Sequence, residues 1–200
     1  IQVTRGAAER DHVFPEPAAP TVVMTWSPLD PVPGEWLEEG VGVITSEDFR
    51  WGRCDIKSIA LLPNVMLRQR AAEQGAVEGI WIHEGRVTEG AASNVFVVND
   101  GKARTPPDGP RVLPGITRDL VLDLARERDL PVRTEAVSER DLREAEEIWT
   151  TSSTKEILPV TRMDGQPVGS GQPGPLFREA REAFRARVRA LRESAPEGTS

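Results

Sequence analysis

The sequence predicts a mixed α and β fold, and three features predict it. Short apolar stretches alternate in polarity between glycine-containing turns, an amphipathic helix opens at Ile116, and a long closing helix carries apolar residues three or four positions apart. A period of two marks a strand with one buried face, and a period near 3.6 marks a helix with one buried stripe. With 38% hydrophobic residues in 22.0 kDa, the chain has enough apolar side chain for a core.

Taken in order, Ile1–Thr4 reads as a strand and residues 6–12 as a loop carrying Arg10, Asp11 and His12. Residues 15–20 are a proline-rich rigid connector, and residues 21–26 have the branched, apolar make-up of a buried strand that Pro28, Pro31, Pro33 and Gly34 end. Residues 40–45 are a further strand, and Arg50 and Arg53 follow shortly after it.

The next segment, residues 54–64, is an apolar run interrupted by a single lysine. Read as an extended strand, it puts Asp55, Lys57 and Ile59 on one face and Ile56 and Ser58 on the other, so that Lys57 either sits indoors or, as most lysines do, reaches out to solvent at a strand edge. A buried lysine must be paired or lose its proton, and losing it creates an amine nucleophile.

Residues 64–74 are predicted helical, ended by Gly75. A β-meander follows: residues 79–83, a turn at Glu84-Gly85, a return through Val87, Thr88 and Glu89, small residues at 90–93, and a strand at 95–98 before the Asn99-Asp100-Gly101 turn. Small residues let a ligand approach the backbone closely.

The next helix has Ile116, Leu120 and Leu124 spaced by four with Val121 beside them on its apolar side, and Thr117 in its opening turn. Peptide N–H groups there have no intrahelical partner, so a phosphate is a natural occupant, although side chains or water fill most such places. Residues 138–146 form an acidic helix or turn. Residues 148–154 are a strand ending in consecutive hydroxyls, which either make turns or donate to phosphate oxygens. Residues 157–162 and 166–168 form a last hairpin, and a closing helix buries Leu176, Ala180, Ala183, Phe184, Val188 and Leu191. Its six arginines are interleaved with glutamates and read as a solvated face. Residues 194–200 are expected to be a disordered tail.

Composition narrows the function classes. Twenty-five Lys+Arg against 32 Asp+Glu give a net charge of -7 with no long basic block, and hence no electrostatic reason to expect nucleic acid. Cys54 alone cannot make an internal disulfide, which fits a reducing compartment, and no apolar stretch or signal pattern suggests a membrane. A soluble cytoplasmic protein is expected, with no metal implied.

Four segments occur in one order: Asp55-Ile56-Lys57-Ser58, Thr88-Glu89-Gly90-Ala91-Ala92-Ser93-Asn94, Leu113-Pro114-Gly115-Ile116-Thr117-Arg118 and Thr151-Ser152-Ser153-Thr154-Lys155-Glu156. Together they resemble the fold-type IV pyridoxal-phosphate enzymes, a family that includes D-amino-acid aminotransferases, branched-chain aminotransferases and aminodeoxychorismate lyases. Arg10-Asp11-His12 is most similar to the D-amino-acid branch, where an Arg-x-His loop holds the substrate α-carboxylate.

The resemblance implies an α+β large domain with a twisted, partly closed sheet flanked by helices, spanning residues 15–193. Residues 1–14 would then be a linker and substrate-carboxylate loop. It implies pyridoxal 5'-phosphate as cofactor, Lys57 as the Schiff-base lysine, and Glu89 as partner of the pyridine nitrogen with Arg50 supporting it. Leu113 would pack near the ring. Ile116, Thr117, Ser152 and Ser153 would hold the phosphate, and Arg10 and His12 the substrate. The implied reaction is transamination between a D-amino acid and a 2-oxo acid in a homodimer. The rivals are lyase or branched-chain chemistry on the same fold, or an inert domain acting only in assembly. The family also has a smaller N-terminal domain that supplies a phosphate-binding arginine and a tyrosine. This chain has no tyrosine and is expected to start in mid-fold, after that domain.

Overall fold

The computed structural model describes residues 1–194, so the expected tail at 194–200 lies outside the described residues except for Ser194. The chain divides into two compact units, Ile1–Pro31 and Val32–Ser200.

In the first unit, β1 (Gln2–Thr4) pairs antiparallel with β2 (Thr21–Val23), and the Arg5 guanidinium lies 3.5 Å over the Phe14 ring. The buried strand expected at 21–26 is corrected. The strand stops at Val23, where its partner β1 runs out, and Val22, Val23, Met24 and Trp26 are exposed.

The second unit is built on one mixed sheet. Its elements are α1 (Gly34–Glu38), β3 (Val41–Glu47), α2 (Leu62–Glu73), β4 (Glu78–His83), β5 (Arg86–Gly90), β6 (Asn94–Asn99) and β7 (Lys102–Thr105). Then follow α3 (Ile116–Glu127), β8 (Val132–Thr134), α4 (Glu139–Arg143), β9 (Glu147–Ser152), β10 (Glu156–Met163), β11 (Gln166–Pro167) and α5 (Pro175–Ser194). The strand order is β5-β4-β3-β10-β9-β6-β7-β8, with β11 on β10. β3 runs parallel to both its neighbours, β4 and β10, whereas β9 is antiparallel to β10 and to β6.

The expected meander is therefore broken in the middle. β4–β5 and β6–β7 are hairpins, but β6 takes β9 as its ladder partner instead of β5. At the β4–β5 turn, Glu84 and Gly85 both have positive φ, the geometry that lets a two-residue loop follow the strand twist. The sheet curls so that β5 returns towards β6, where the Gly90 N–H donates to Ser93 O at 2.7 Å.

Alternation sorts the strand residues onto two faces. Val43, Ile80, Ile82, Val95, Val97, Ile148 and Leu158 form one core, which Leu142 of α4 joins and against which Trp36 of α1 packs. On the other face α2 covers Ile44 and Trp81, while α3 and α5 cover Phe96, Val98, Trp149 and Ile157. Phe96 and Trp149 stack at 5.4 Å, an arrangement worth about 0.5–1.5 kcal/mol beyond burial. Within the helices, Leu191 of α5 and Ile116 of α3 are exposed, contrary to the apolar faces expected for them.

Candidate functional site

The site lies on the face covered by α2 and α3, where β5 turns into β6. A bulge creates it. Ile82 pairs with Val87 and Ile80 with Gly90, so Thr88 and Glu89 together oppose Trp81. Simple alternation would have sent Glu89 into the core with Val87, and the extra residue re-aims it. Thr88 and Glu89 then meet Arg50, whose guanidinium lies 5.5 Å over the Trp81 ring.

Arg50 is almost fully buried and spends every nitrogen. Nε and Nη2 donate to the two oxygens of Asp48 at 2.9 and 2.8 Å, and Nη1 donates to Glu89 Oε1 at 2.5 Å. Nη2 also reaches Thr88 Oγ1 at 3.3 Å and Arg111 O at 3.1 Å. The second Glu89 oxygen accepts the Leu113 N–H at 2.9 Å and the Asn94 Nδ2 at 3.4 Å. Burial pushes the Asp48 carboxyl up, but bonds to Arg50 outweigh it and hold the group below the ordinary value. For Glu89 burial wins over Arg50, and its carboxyl sits above the ordinary range. Burial opposes the charge on Arg50, yet the two carboxylates hold its proton more tightly than usual.

Asn94 links this network to α3. Its Nδ2 donates to Leu113 O at 2.9 Å, and its Oδ1 lies against Gly115, where an added Cβ would come within 1.9 Å of it. Gly115 is the N-cap of α3 and makes no side-chain cap, so the opening N–H groups of Ile116 and Thr117 stay free of protein side chains. Ile116 exposes its side chain while Thr117 is buried. Buried Arg118 fastens the loop before α3 through Pro106 O at 2.9 Å and Asp108 at 2.9 Å.

The hydroxyl run is split by the pleat. Thr151 pairs directly with Asn94 and so shares its face, as Trp149 does. It is 2% exposed, and its Oγ1 has no hydrogen-bond partner. Ser152 alternates to the opposite side, and its Oγ accepts the Lys155 N–H at 3.2 Å. Ser153 is exposed.

The expected strand around Lys57 is corrected. Residues 51–61 form no strand, and Lys57 is exposed. The segment is held at its ends instead of along a ladder. The Cys54 N–H donates to Pro110 O at 2.7 Å, and Asn64 Nδ2, at the start of α2, donates to Ala91 O at 2.5 Å. Arg53 and Asp55 pair with each other at the surface, which turns that stretch outward. Lys57 thus lies in a loop pinned on both sides to segments that build the site.

Arg10 and His12 are exposed in the first unit, where the His12 N–H donates to Asp11 Oδ1 at 2.6 Å. Asp48, Thr88, Asn94 and Thr151 join the site although no role follows for them from the sequence alone. No sequence signal marks the bulge that assembles the first two, whereas Asn94 and Thr151 stand inside the quoted motifs. Lys155 stands inside the last of those motifs. It is half-buried with Nζ 5.7 Å from the Trp36 ring centre, and burial, then the Arg68 charge, lower its proton affinity against the pull of Glu78. Among the described residues no group of His, Cys, Asp and Glu is arranged to hold a metal ion, and no helix is long and apolar enough to cross a membrane.

Comparison with known proteins agrees with this layout. Residues 1–163 match the family described as amino-transferase class IV. The chain is 44% identical over 184 residues to the D-alanine aminotransferase of Bacillus licheniformis, covering 92% of this chain and 65% of that protein. It is 40% identical to the D-alanine aminotransferase of Staphylococcus aureus (strain MSSA476) with the same coverage, so it spans about two thirds of the length of these relatives. Among solved structures, the Escherichia coli branched-chain amino acid aminotransferase superposes with a TM-score of 0.81 at 30% identity, covering 92% of this chain and 63% of that one. The branched-chain aminotransferase of Thermobaculum terrenum in its PLP form gives 0.69 at 30% identity, covering 74% and 50%. The curled mixed sheet with its flanking helices is the fold-type IV domain, and the chain belongs to the class IV aminotransferase family.

Proposed function

We propose that this chain is the cofactor-carrying part of a pyridoxal-phosphate-dependent aminotransferase that exchanges an amino group between a D-amino acid such as D-alanine and a 2-oxo acid such as 2-oxoglutarate. The observation that carries the reading is the buried Glu89 carboxylate. It accepts from Arg50, Leu113 and Asn94, and a carboxylate offers about four acceptor positions, so one remains. A protonated ring nitrogen fits that position and its charge. The rest of the site fits the group as well. The orphaned Thr151 hydroxyl and the uncapped start of α3 share one face with Asn94, and both suit phosphate oxygens.

When bound, the cofactor supplies an electron sink for the carbanion formed at the substrate α-carbon. Glu89 keeps the ring nitrogen protonated, with Arg50 holding Glu89 in place and Leu113 beside it. Ile116, Thr117 and Thr151 hold the phosphate, with Ser153 at the end of the hydroxyl run, while Ser152 faces the other side of the sheet. Lys57 provides the amine that carries the cofactor and moves the proton at the substrate α-carbon. Arg10 and His12 hold the substrate α-carboxylate across a homodimer. In this reading residues 1–14 are the carboxylate loop and 15–193 the cofactor domain, and the protein works in the cytoplasm without nucleic acid.

The test is borohydride reduction of the full-length protein with pyridoxal phosphate, followed by peptide mapping. Phosphopyridoxyl on Lys57 supports the assignment, and label on Lys155 instead would overturn it. The likeness to branched-chain enzymes in the solved structures supplies a second reading, in which L-leucine is the donor. Pyruvate formed from D-alanine and 2-oxoglutarate, with L-leucine inert, supports the first. The opposite pattern supports the second, and no turnover of either supports an inert assembly domain.

A further inference from the structure

Two carboxylates share one guanidinium in the buried network, yet they do not share it equally. Asp48 takes the fork: Arg50 Nε and Nη2 each meet one of its oxygens, the Arg50 backbone N–H adds a third bond at 3.1 Å, and the Thr88 hydroxyl adds a fourth at 3.2 Å. Glu89 receives Nη1 alone. Arginine and carboxylate ordinarily prefer the two-pronged arrangement, which neutralises both partners most completely. Here that arrangement is already occupied.

The remaining neighbours do not restore the balance. Arg111 is a second cation, but its Nη1 donates to the Arg50 carbonyl at 3.2 Å and it pairs with neither carboxylate; Asn94 and the Leu113 N–H are neutral donors, and burial keeps the Cys54 thiol protonated. Among the three side chains that bond one another directly, two carboxylates face one guanidinium, and the unmatched one is Glu89, which has the fewest charged partners. Buried charge without a counter-charge is costly, so the protein retains it to meet a cation.

Resting on the cofactor reading above, we propose that Asp48 is a positioning residue: by occupying the fork of Arg50 it leaves Glu89 with the negative charge that binds a protonated ring nitrogen. Without Asp48, Arg50 is free to turn its fork to Glu89, and the pair becomes neutral. The ring nitrogen then loses its ionic partner although Glu89 and Arg50 are both still present.

The experiment compares the affinity of the full-length apoprotein for pyridoxal phosphate and for its 1-deaza analogue, which has carbon in place of the ring nitrogen, by quenching of tryptophan fluorescence. The wild type is expected to prefer pyridoxal phosphate by about tenfold or more, the scale of one charged hydrogen bond. Asp48→Asn should bring that preference to within about threefold of unity while leaving affinity for the analogue nearly unchanged, and Glu89→Gln should do the same. In the Glu89→Gln background Asp48→Asn should add nothing. A preference kept by Asp48→Asn, or an equal loss of affinity for both compounds, overturns the proposal and leaves the cofactor reading standing. A wild type with no preference overturns the reading of Glu89 itself. Asp48→Ser is the second variant, with the same expected ratio. If both Asp48 variants fail to fold while Glu89→Gln folds, Asp48 is a folding residue only and the proposal falls.

Discussion

Arg50 Nη1 lies 2.5 Å from Glu89 Oε1, and the same guanidinium lies over the Trp81 ring and closes on Asp48. One buried cation thereby ties the segment after β3 to the bulge in β5. Arg50→Ala would leave two buried carboxylates without a counter-charge, and it should destabilise the fold by about 3–5 kcal/mol. Urea denaturation measures this. A loss below about 1 kcal/mol would mean that water enters and screens the site.

Thr151→Val should change stability and affinity in opposite directions. Valine has nearly the same shape and removes a buried hydroxyl that has no partner in the free protein, so the apoprotein should be as stable as the wild type or slightly more so. Affinity for pyridoxal phosphate should fall by roughly tenfold, the worth of one hydrogen bond to a charged oxygen. Thermal melting and fluorescence titration together decide it. Unchanged affinity would remove Thr151 from the phosphate wall.

Gly115→Ala introduces a methyl where Asn94 Oδ1 stands 1.9 Å away. Asn94 must shift, and both Leu113 and Glu89 lose a partner with it. The expected cost is about 1–3 kcal/mol, as for other overpacked positions, accompanied by weaker cofactor binding. Denaturation and titration of this variant test whether the start of α3 and the Glu89 pocket are mechanically one piece.

At the opposite end of the sheet, Ser138 and Asp141 cap α4 reciprocally: Ser138 Oγ accepts the Asp141 N–H at 3.0 Å, and Asp141 Oδ2 accepts the Ser138 N–H at 2.9 Å. Bonds from the Ser138 side chain and backbone, with help from Arg104, hold the Asp141 carboxyl at about 2, below the ordinary 3.8. A carboxylate so lowered stabilises the fold fully above its ordinary value, and that contribution is lost as pH falls through about 2. Ser138→Ala should cost about 1 kcal/mol near neutral pH. Melting at pH 7 and pH 2 should show the difference between variant and wild type shrink in acid. An equal difference at both would assign the loss to packing.

The helices and most strands were legible because their signal is local. The turn at Glu84-Gly85, the stop at Gly75 and the apolar side of α3 all act over one or two turns of chain. The Lys57 segment was misread for a physical reason: an apolar run specifies burial against something, and the sheet offers that run no ladder partner. Its Ile59 and Leu62 are exposed. The motifs found Glu89 and Leu113, and the family resemblance added Arg50; the structure joins Glu89 to both by direct hydrogen bonds. They did not reveal Asp48, whose carboxylate looks like any surface charge until the bulge brings Thr88 and Glu89 onto its face. β8 and α1 were missed because each is too short to show a period.

The placement of β3 has a consequence for how the chain is made. Val43 finds Glu78 on one side soon after it is synthesised, but its other neighbour, Met163, emerges only after everything from α2 to β9 has left the ribosome. Until then the central strand presents an open edge, and so does β6, which waits for β9. Distant pairings of this kind are slow to form and expose sticky backbone while they wait. The nascent chain is thus most prone to aggregate just before the β10–β11 hairpin appears, and truncation ahead of β10 should yield insoluble protein instead of a smaller folded domain.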